Sequence, residues 1–326
     1  MGARFIIAFG PVPSRRLGRS LGVNNIPAKI CTYSCIYCQL GSTIKEQVER
    51  RSFYKPERIF REVQRLVEKV GKRGDKIDYL TFVPDGEPTL DKSLGEEISL
   101  LKELGIRIAV ITNASLIDRT DVRRDLSIAD LVSLKVDAFG ENFWRLVDRP
   151  HSSLNYNHIL DGMVKFAHEF KGDLITETML IRGVNDDEKE ISRIAEFLVN
   201  LKPVKSYVAI PTRPPAENWV KPASEHFINL AYQKFREKLG ENRVEYLIGY
   251  EGDSFASTGD FVEDLMNITS VHPMREDALE NFLKKADSDW SVVRNLIKKG
   301  KLIELEFEGQ KFYMRKLPSR RKKGLK

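Results

Sequence analysis

The stretch Cys31-Thr-Tyr-Ser-Cys35-Ile-Tyr-Cys38 holds every cysteine of the chain, with three residues and then two between successive thiols. Three thiols this close cannot build a disulfide framework, and their odd number would leave one unpaired. Thiolates from one short loop can instead reach three corners of a cubane iron–sulfur cluster and leave the fourth iron open. A structural zinc ion wants four protein ligands, yet there is no fourth cysteine and the nearest histidine in sequence is His151. Simple burial of apolar cysteines is the other alternative, and it leaves their clustering without a reason.

The flanking sequence shows what carries this loop. Short apolar runs expected as strands lie at 20–23, 77–83, 106–112, 131–136, 174–181 and 207–210, separated by helix-length segments. The first helix starts at Pro56, and Ile59, Phe60, Val63, Leu66, Val67 and Val70 form one apolar face at three- and four-residue spacing. Further helices are expected over 90–105, 156–170, 188–201 and 224–239. Such alternation predicts repeated βα units around a parallel sheet. Six units are too few to close the usual eight-stranded barrel, so the fold class is α/β, a partial (β/α)6 barrel. Chemistry in such folds sits at the carboxyl ends of the strands.

The last part of the chain reads differently. Residues 279–285 and 290–299 are expected as helices; Ile303, Leu305 and Phe307 then alternate with glutamates, Gly309 breaks the run, and 311–315 returns as a strand. Two helices followed by a hairpin predict a small winged-helix-like domain. Residues 275–326 carry 15 basic and 8 acidic side chains, +7 against +6 for the whole chain, so the positive excess belongs to this module. The expected organisation is a core at 1–252, a linker at 253–274 and a basic domain with its tail at 275–326. No run approaches the ~18 apolar residues of a membrane span. Residues 1–10 lack a small-residue cleavage site, so no membrane partner and a cytoplasmic home are expected.

The cysteine loop matches the CxxxCxxC signature of the radical S-adenosylmethionine (radical SAM) superfamily, which the chain resembles over roughly 20–210. The resemblance implies a 4Fe-4S cluster held by Cys31, Cys35 and Cys38, with S-adenosylmethionine chelating the open iron. It implies an enzyme, an oxidoreductase or transferase, in which reductive cleavage yields methionine and a 5′-deoxyadenosyl radical that abstracts hydrogen. An electron donor of flavodoxin or ferredoxin type would supply the electron. Tyr37 matches the position against the adenine. Asp85-Gly86-Glu87-Pro88 resembles the GGE motif that receives the methionine amino group, with Asp85 in place of the first glycine. Thr112-Asn113-Ala114-Ser115 resembles the segment near the ribose, where Asn113 either bonds hydroxyls or caps a helix. Ser133, Lys135 and Asp137 alternate on one strand face, which turns them toward the barrel, with Lys135 paired either with the cofactor carboxylate or with Asp137 or Glu177. Arg15, Arg16, Arg19 and Arg213 fit either an anionic substrate or solvated loops.

For the substrate, the basic C-terminal module with Arg320, Arg321, Lys322 and Lys323 points to RNA, tRNA in particular. The opening Gly10-Pro-Val-Pro-Ser-Arg15-Arg16-Leu-Gly18 run also resembles relatives of the wyosine-forming tRNA enzymes, although those carry extra cysteines that this chain lacks. An activase for a glycyl-radical enzyme and an iron–sulfur DNA-binding regulator are the alternatives.

Overall fold

In the computed structural model, residues 6–249, 255 and 259–316 are described. Strands β1 (Ala8–Ser14), β2 (Gly18–Val23), the short β3 (Ile30–Cys31) and β4 (Lys45–Glu46), β5 (Tyr79–Phe82), β6 (Arg107–Thr112), β7 (Leu131–Lys135), β8 (Asp173–Met179), β9 (Lys205–Ala209) and β10 (Val244–Leu247) run through the first unit. Between them lie helices α1 (Pro56–Gly71), α2 (Leu94–Lys102), α3 (Thr120–Leu126), α4 (Glu141–Val147), α5 (Tyr156–Glu169), α6 (Glu188–Leu201) and α7 (Glu225–Leu239). Eight strands form one sheet in the order β1-β2-β5-β6-β7-β8-β9-β10, a curled half-barrel. From β2 to β10 every neighbour is parallel, and β1 is antiparallel at one edge.

All six expected strands are present, and the sheet gains one at each edge. The Gly10–Ser20 run, read as a loop, folds back as most of the β1–β2 hairpin, and Leu17 from its turn packs on the inner face with Ala109, Leu131, Ile175 and Tyr207. That plug closes the lower end of the half-barrel. Strand β10 was missed because it is only four residues long, with one of them buried, and lies at an edge where no alternation marks it.

The outer layer is built as the periodicity requires. Ile59 and Val63 of α1, Ile98 and Leu101 of α2, Phe166 of α5, Ile191 and Ile194 of α6, and Phe235 of α7 pack on Leu80, Phe82, Ile108, Val110, Val132 and Val208 of the sheet. Each buried aliphatic or aromatic side chain is worth about 1.5–3 kcal/mol. Asn155 and Asp187 cap α5 and α6 by accepting from the amides of His158 and Glu190. None of the helices is long and apolar enough to cross a membrane, among the described residues.

The second unit consists of α8 (Phe261–Val271), β11 (Met274–Arg275), α9 (Glu276–Lys285), α10 (Trp290–Lys298), β12 (Leu302–Phe307) and β13 (Gln310–Arg315), with a three-stranded sheet in the order β11-β13-β12. Residues 253–274, expected as a linker, thus contain α8, whose Leu265, Ile268 and Val271 belong to the core of this unit. That core also takes in Phe9 and Val12 of β1. An extended strand shows its two faces to two different partners, and β1 uses this to join the units. Gly22 on β2 leaves room for the Phe9 ring: a Cβ there would lie 2.0 Å from Phe9 Cζ. Phe9→Ala is expected to cost about 3–5 kcal/mol and to expose the C-terminal unit first, read as faster proteolysis there than in the half-barrel.

Candidate active site

The cysteine loop has almost no regular structure, so pegs and stitches position it. Two residues between the cysteines point inward: Tyr33, whose hydroxyl accepts from Trp144 Nε1 (3.0 Å), and Ile36, which is fully buried against Val147, Ile181 and Val220. The Ile36 amide donates to the Val147 carbonyl (2.9 Å). With these side chains facing the core, the intervening thiols face the half-barrel's carboxyl end. The Cys38 amide bonds back to Cys35 (3.2 Å), and the Gly41 amide bonds back to Cys38 (2.9 Å), turning the loop twice.

The base of the loop is stitched to the turn after β5. The Lys29 amide donates to the Asp85 carbonyl (2.7 Å), the Glu87 amide to the Ile30 carbonyl (3.3 Å), and the Asp85 amide to Asn24 Oδ1 (3.2 Å). At Gly86 a Cβ would fall 1.8 Å from the Ile30 carbonyl oxygen, so only glycine lets the two backbones meet. Glu87 is buried, and its carboxylate accepts from the Thr89 amide (3.1 Å) and hydroxyl (2.6 Å), the Thr112 hydroxyl (2.6 Å) and the Asn113 amide (2.8 Å). It ties the ends of β5 and β6 together, with three of these bonds on Oε1 and one on Oε2. Asn113 Nδ2 donates to Thr32 Oγ1 (2.8 Å) and lies 3.6 Å from Cys31 Sγ, while its Oδ1 accepts from the Ser115 amide (3.0 Å).

All three cysteines line one cavity of about 350 Å³, together with Tyr37, Asp85, Gly86, Glu87, Asn113 and Lys135. Ser133, Asp137, Arg15 and Arg19, also singled out from the sequence, are not in its wall; the Ser133 hydroxyl is buried and has no hydrogen-bond partner among the described residues. On the same strand Lys135 donates to Glu177 Oε1 (2.8 Å) and lies 3.4 Å from Asp137. The Tyr37 hydroxyl donates to Asp137, and Lys135 Nζ sits 4.9 Å from the Tyr37 ring centroid. Burial works against the Lys135 ammonium, but Asp137 and Glu177 outweigh it and hold the proton. Arg16 pairs with the same Glu177 and faces the cavity, whereas Arg19 turns outward to Asp75 (2.6 Å) and Arg15 is exposed.

Asp148, Lys29, Gln39 and His272, missed from the sequence, complete the site together with Arg213. Asp148 accepts from Cys35 Sγ at 3.4 Å; Lys29 is buried beneath the loop with its Nζ bonded to the Leu40 carbonyl. Gln39 Nε2 donates to the Val271 carbonyl at the end of α8 (2.9 Å), and Arg213 donates to Gln39 Oε1 (3.2 Å) and to His272 Nε2 (2.6 Å). No local pattern marks these residues, because each contact joins segments distant in the chain.

The thiols suit a polynuclear group. Burial pushes Cys31 up to about 12 and raises Cys35 and Cys38 as well, and Cys31 and Cys35 each feel the charge of Cys38 in the cavity that the three share. Among the described residues no three His, Cys, Asp or Glu groups are arranged to hold a single metal ion. Three thiols that share a cavity without converging on one point fit a cluster, whose irons are spaced by sulfide, better than one zinc ion.

Comparison with known proteins agrees with this geometry. The family model described as the radical SAM superfamily matches residues 25–195. The chain belongs to the radical SAM superfamily. Members of this family are enzymes that bind a 4Fe-4S cluster and S-adenosylmethionine. This radical SAM protein is 48% identical over 317 residues to a UPF0026 protein of Methanocaldococcus jannaschii, covering 97% of this chain and 98% of that one. It is 26% identical over 239 residues to the Thermotoga sp. (strain RQ2) protein named "Probable dual-specificity RNA methyltransferase RlmN", covering 69% of this chain and 63% of that one. The structure of TYW1 with a lysine-pyruvate adduct bound superposes with a TM-score of 0.53 at 20% identity, covering 67% of this chain and 73% of that one, a likeness of fold.

Two substitutions separate the scaffold from the thiols it carries. Gly86→Ala is expected to push Ile30 aside and cost about 1–3 kcal/mol, with iron uptake falling while the far-ultraviolet circular dichroism stays near wild type. Glu87→Gln sets an amide donor against backbone and hydroxyl donors, costing about 1–3 kcal/mol, seen as a lower Tm even without iron.

Proposed function

We propose that this protein is a radical SAM enzyme acting on RNA, with Cys31, Cys35 and Cys38 as the cluster ligands. The observation that carries the ligand reading is the arrangement just described: three half-buried thiols around one cavity, in a chain with no fourth cysteine. Bound there, the cluster and S-adenosylmethionine would supply a carbon-centred radical for hydrogen abstraction, driven by an electron from an external donor of flavodoxin or ferredoxin type.

The chain's own residues then have distinct tasks. The backbone of Asp85 and Gly86 offers polar groups to the methionine end of the cofactor; the Glu87 carboxylate is committed to holding that backbone. Tyr37 provides the aromatic surface for the adenine and is oriented by Asp137. Asn113 is positioned at Cys31 by its bond to Thr32 and serves the ribose side. Lys135, held by Glu177 and Asp137, presents a fixed positive charge to the cofactor carboxylate. Walls from four or more strands exclude water, which protects a reactive carbon radical from quenching.

RNA is supported by the C-terminal unit. Its order of β11, α9, α10 and the β12–β13 hairpin supports the winged-helix reading, with α10 as the second helix of the helix-turn-helix. Arg294 and Lys298 are exposed four residues apart on α10, and Lys299 and Lys301 continue the basic surface. The tail residues Arg320, Arg321, Lys322 and Lys323 lie outside the described residues. The relative named as an RNA methyltransferase supports the same substrate class, and a cytoplasmic location follows from that substrate.

Anaerobic reconstitution tests the ligands: wild type should take up roughly four irons per chain and release 5′-deoxyadenosine on reduction with S-adenosylmethionine, whereas Cys31→Ala, Cys35→Ala and Cys38→Ala should do neither. Equal iron in all four proteins would refute the assignment. For RNA, Arg294→Glu with Lys298→Glu should weaken binding and flatten its dependence on log salt by about 0.7 per lost phosphate contact to a single strand, leaving cofactor cleavage without RNA unchanged. Unaltered RNA affinity would refute the surface.

A further inference from the structure

We propose that Lys29 sets the reduction potential of the cluster, with Asp85 acting on it in the opposite direction; this rests on the ligand reading above and goes beyond it. The backbone of Lys29 is pinned in the left-handed region at φ 66, which a lysine adopts only when its surroundings impose it. Its amide is held by the Asp85 carbonyl (2.7 Å), and its carbonyl accepts from Ile44 (3.1 Å) and Lys45 (3.2 Å). The side chain therefore has one direction to go, under the turn that follows Cys38, where Nζ bonds to the Leu40 carbonyl.

Lys29 is 5% exposed and forms no salt bridge among the described residues. A buried ammonium in that state is costly unless negative charge lies nearby. Lys29 lines the same cavity as Cys31, Cys35 and Cys38; burial lowers its pKa, and the groups that oppose this are, in order, Cys38, Asp85 and Cys31. Two of the three are cluster ligands. Loaded with a cluster, the loop becomes anionic, and one further electron makes it more so. A fixed positive charge beside the ligands stabilises the reduced form by Coulomb attraction in a medium that screens weakly.

Asp85 occupies the opposite role. It stands where the family motif has a glycine, is 4% exposed, and its Oδ1 is buried with no hydrogen-bond partner among the described residues. Its cationic neighbours are Lys29 and, from β13 of the C-terminal unit, Arg315. Burial raises the Asp85 carboxyl to about 7, against the pull of Lys29 and Arg315, so above that pH its negative charge offsets part of the Lys29 charge and raises the cost of adding an electron. The pair gives the chain two independent charges, one of each sign, beside the same loop.

The test is a spectroscopically monitored redox titration of the reconstituted full-length protein without S-adenosylmethionine, comparing wild type, Lys29→Met, Lys29→Arg and Asp85→Asn. Lys29→Met should reduce the equilibrium constant for cluster reduction about tenfold, which for one electron is a fall of about 59 mV. Measured above about pH 8, where Asp85 is ionised, Asp85→Asn should move the potential upward, and Lys29→Arg should stay near wild type. Potentials that do not move, or that move in the same direction for Lys29→Met and Asp85→Asn in iron-replete protein, would overturn the proposal while leaving the ligands intact. Should Lys29→Met fail to take up iron, the sign of the Asp85→Asn shift decides. A wild-type chain that binds no iron would instead refute the ligand assignment.

Discussion

The contact between the backbone of Gly86 and the carbonyl of Ile30 is the constraint on which the site depends. The cysteine loop has little hydrogen-bonded structure of its own, and a loop of this kind holds three thiols in place only if its base is fixed from outside. The turn after β5 provides that fixing, through three backbone or near-backbone bonds and an approach so close that no Cβ fits. Glu87 then makes the turn rigid by satisfying four donors from two neighbouring segments. The acidic residue of the motif is thus structural at its carboxylate, and its backbone remains available to a ligand.

Electrostatics in the cavity follows from how few charges are left unpaired in it. Lys135 and Arg16 share Glu177, Asp137 holds both Lys135 and Tyr37, and Asp148 faces Cys35. Buried ionic groups linked in this way cost several kcal/mol each when one partner is removed, so the wall carries fixed dipoles and charges that do not reorganise. Lys29 stands apart from this network, hydrogen-bonded to a carbonyl beside the thiols, and that difference singles it out.

The C-terminal unit is built into the half-barrel at two places. Phe9 and Val12 of β1 enter its core, and the end of α8 reaches the cavity, where the Val271 carbonyl accepts from Gln39, the residue after Cys38. Arg213 of the half-barrel bridges Gln39 and His272. The surface proposed to bind RNA and a wall of the cavity therefore belong to one packed unit.

The sequence by itself determined six of the sheet's strands, helices between them and the family to which the cysteine loop belongs. The apolar spacing of Ile59, Val63 and Val70 or of the strands at 106–112 and 131–136 is local, and so is the CxxxCxxC spacing that carries the family resemblance. Tertiary structure decided what those signals cannot encode. Strand β1 became an edge of the sheet because Phe9 and, from the turn after it, Leu17 bury in two different cores, and Phe261–Val271, inside the stretch expected as a linker, became a helix because Leu265 and Ile268 meet a core that also takes in Phe9 and Val12. Ser133 lies outside the cavity wall even though its alternation with Lys135 holds, since a strand face spans more than one layer of a barrel. Gln39 and Val271 are 232 residues apart. Contacts of that kind, like the placing of Lys29 beneath the thiols, come only from folding, because burial and proximity are properties of the packed chain and not of any segment of it.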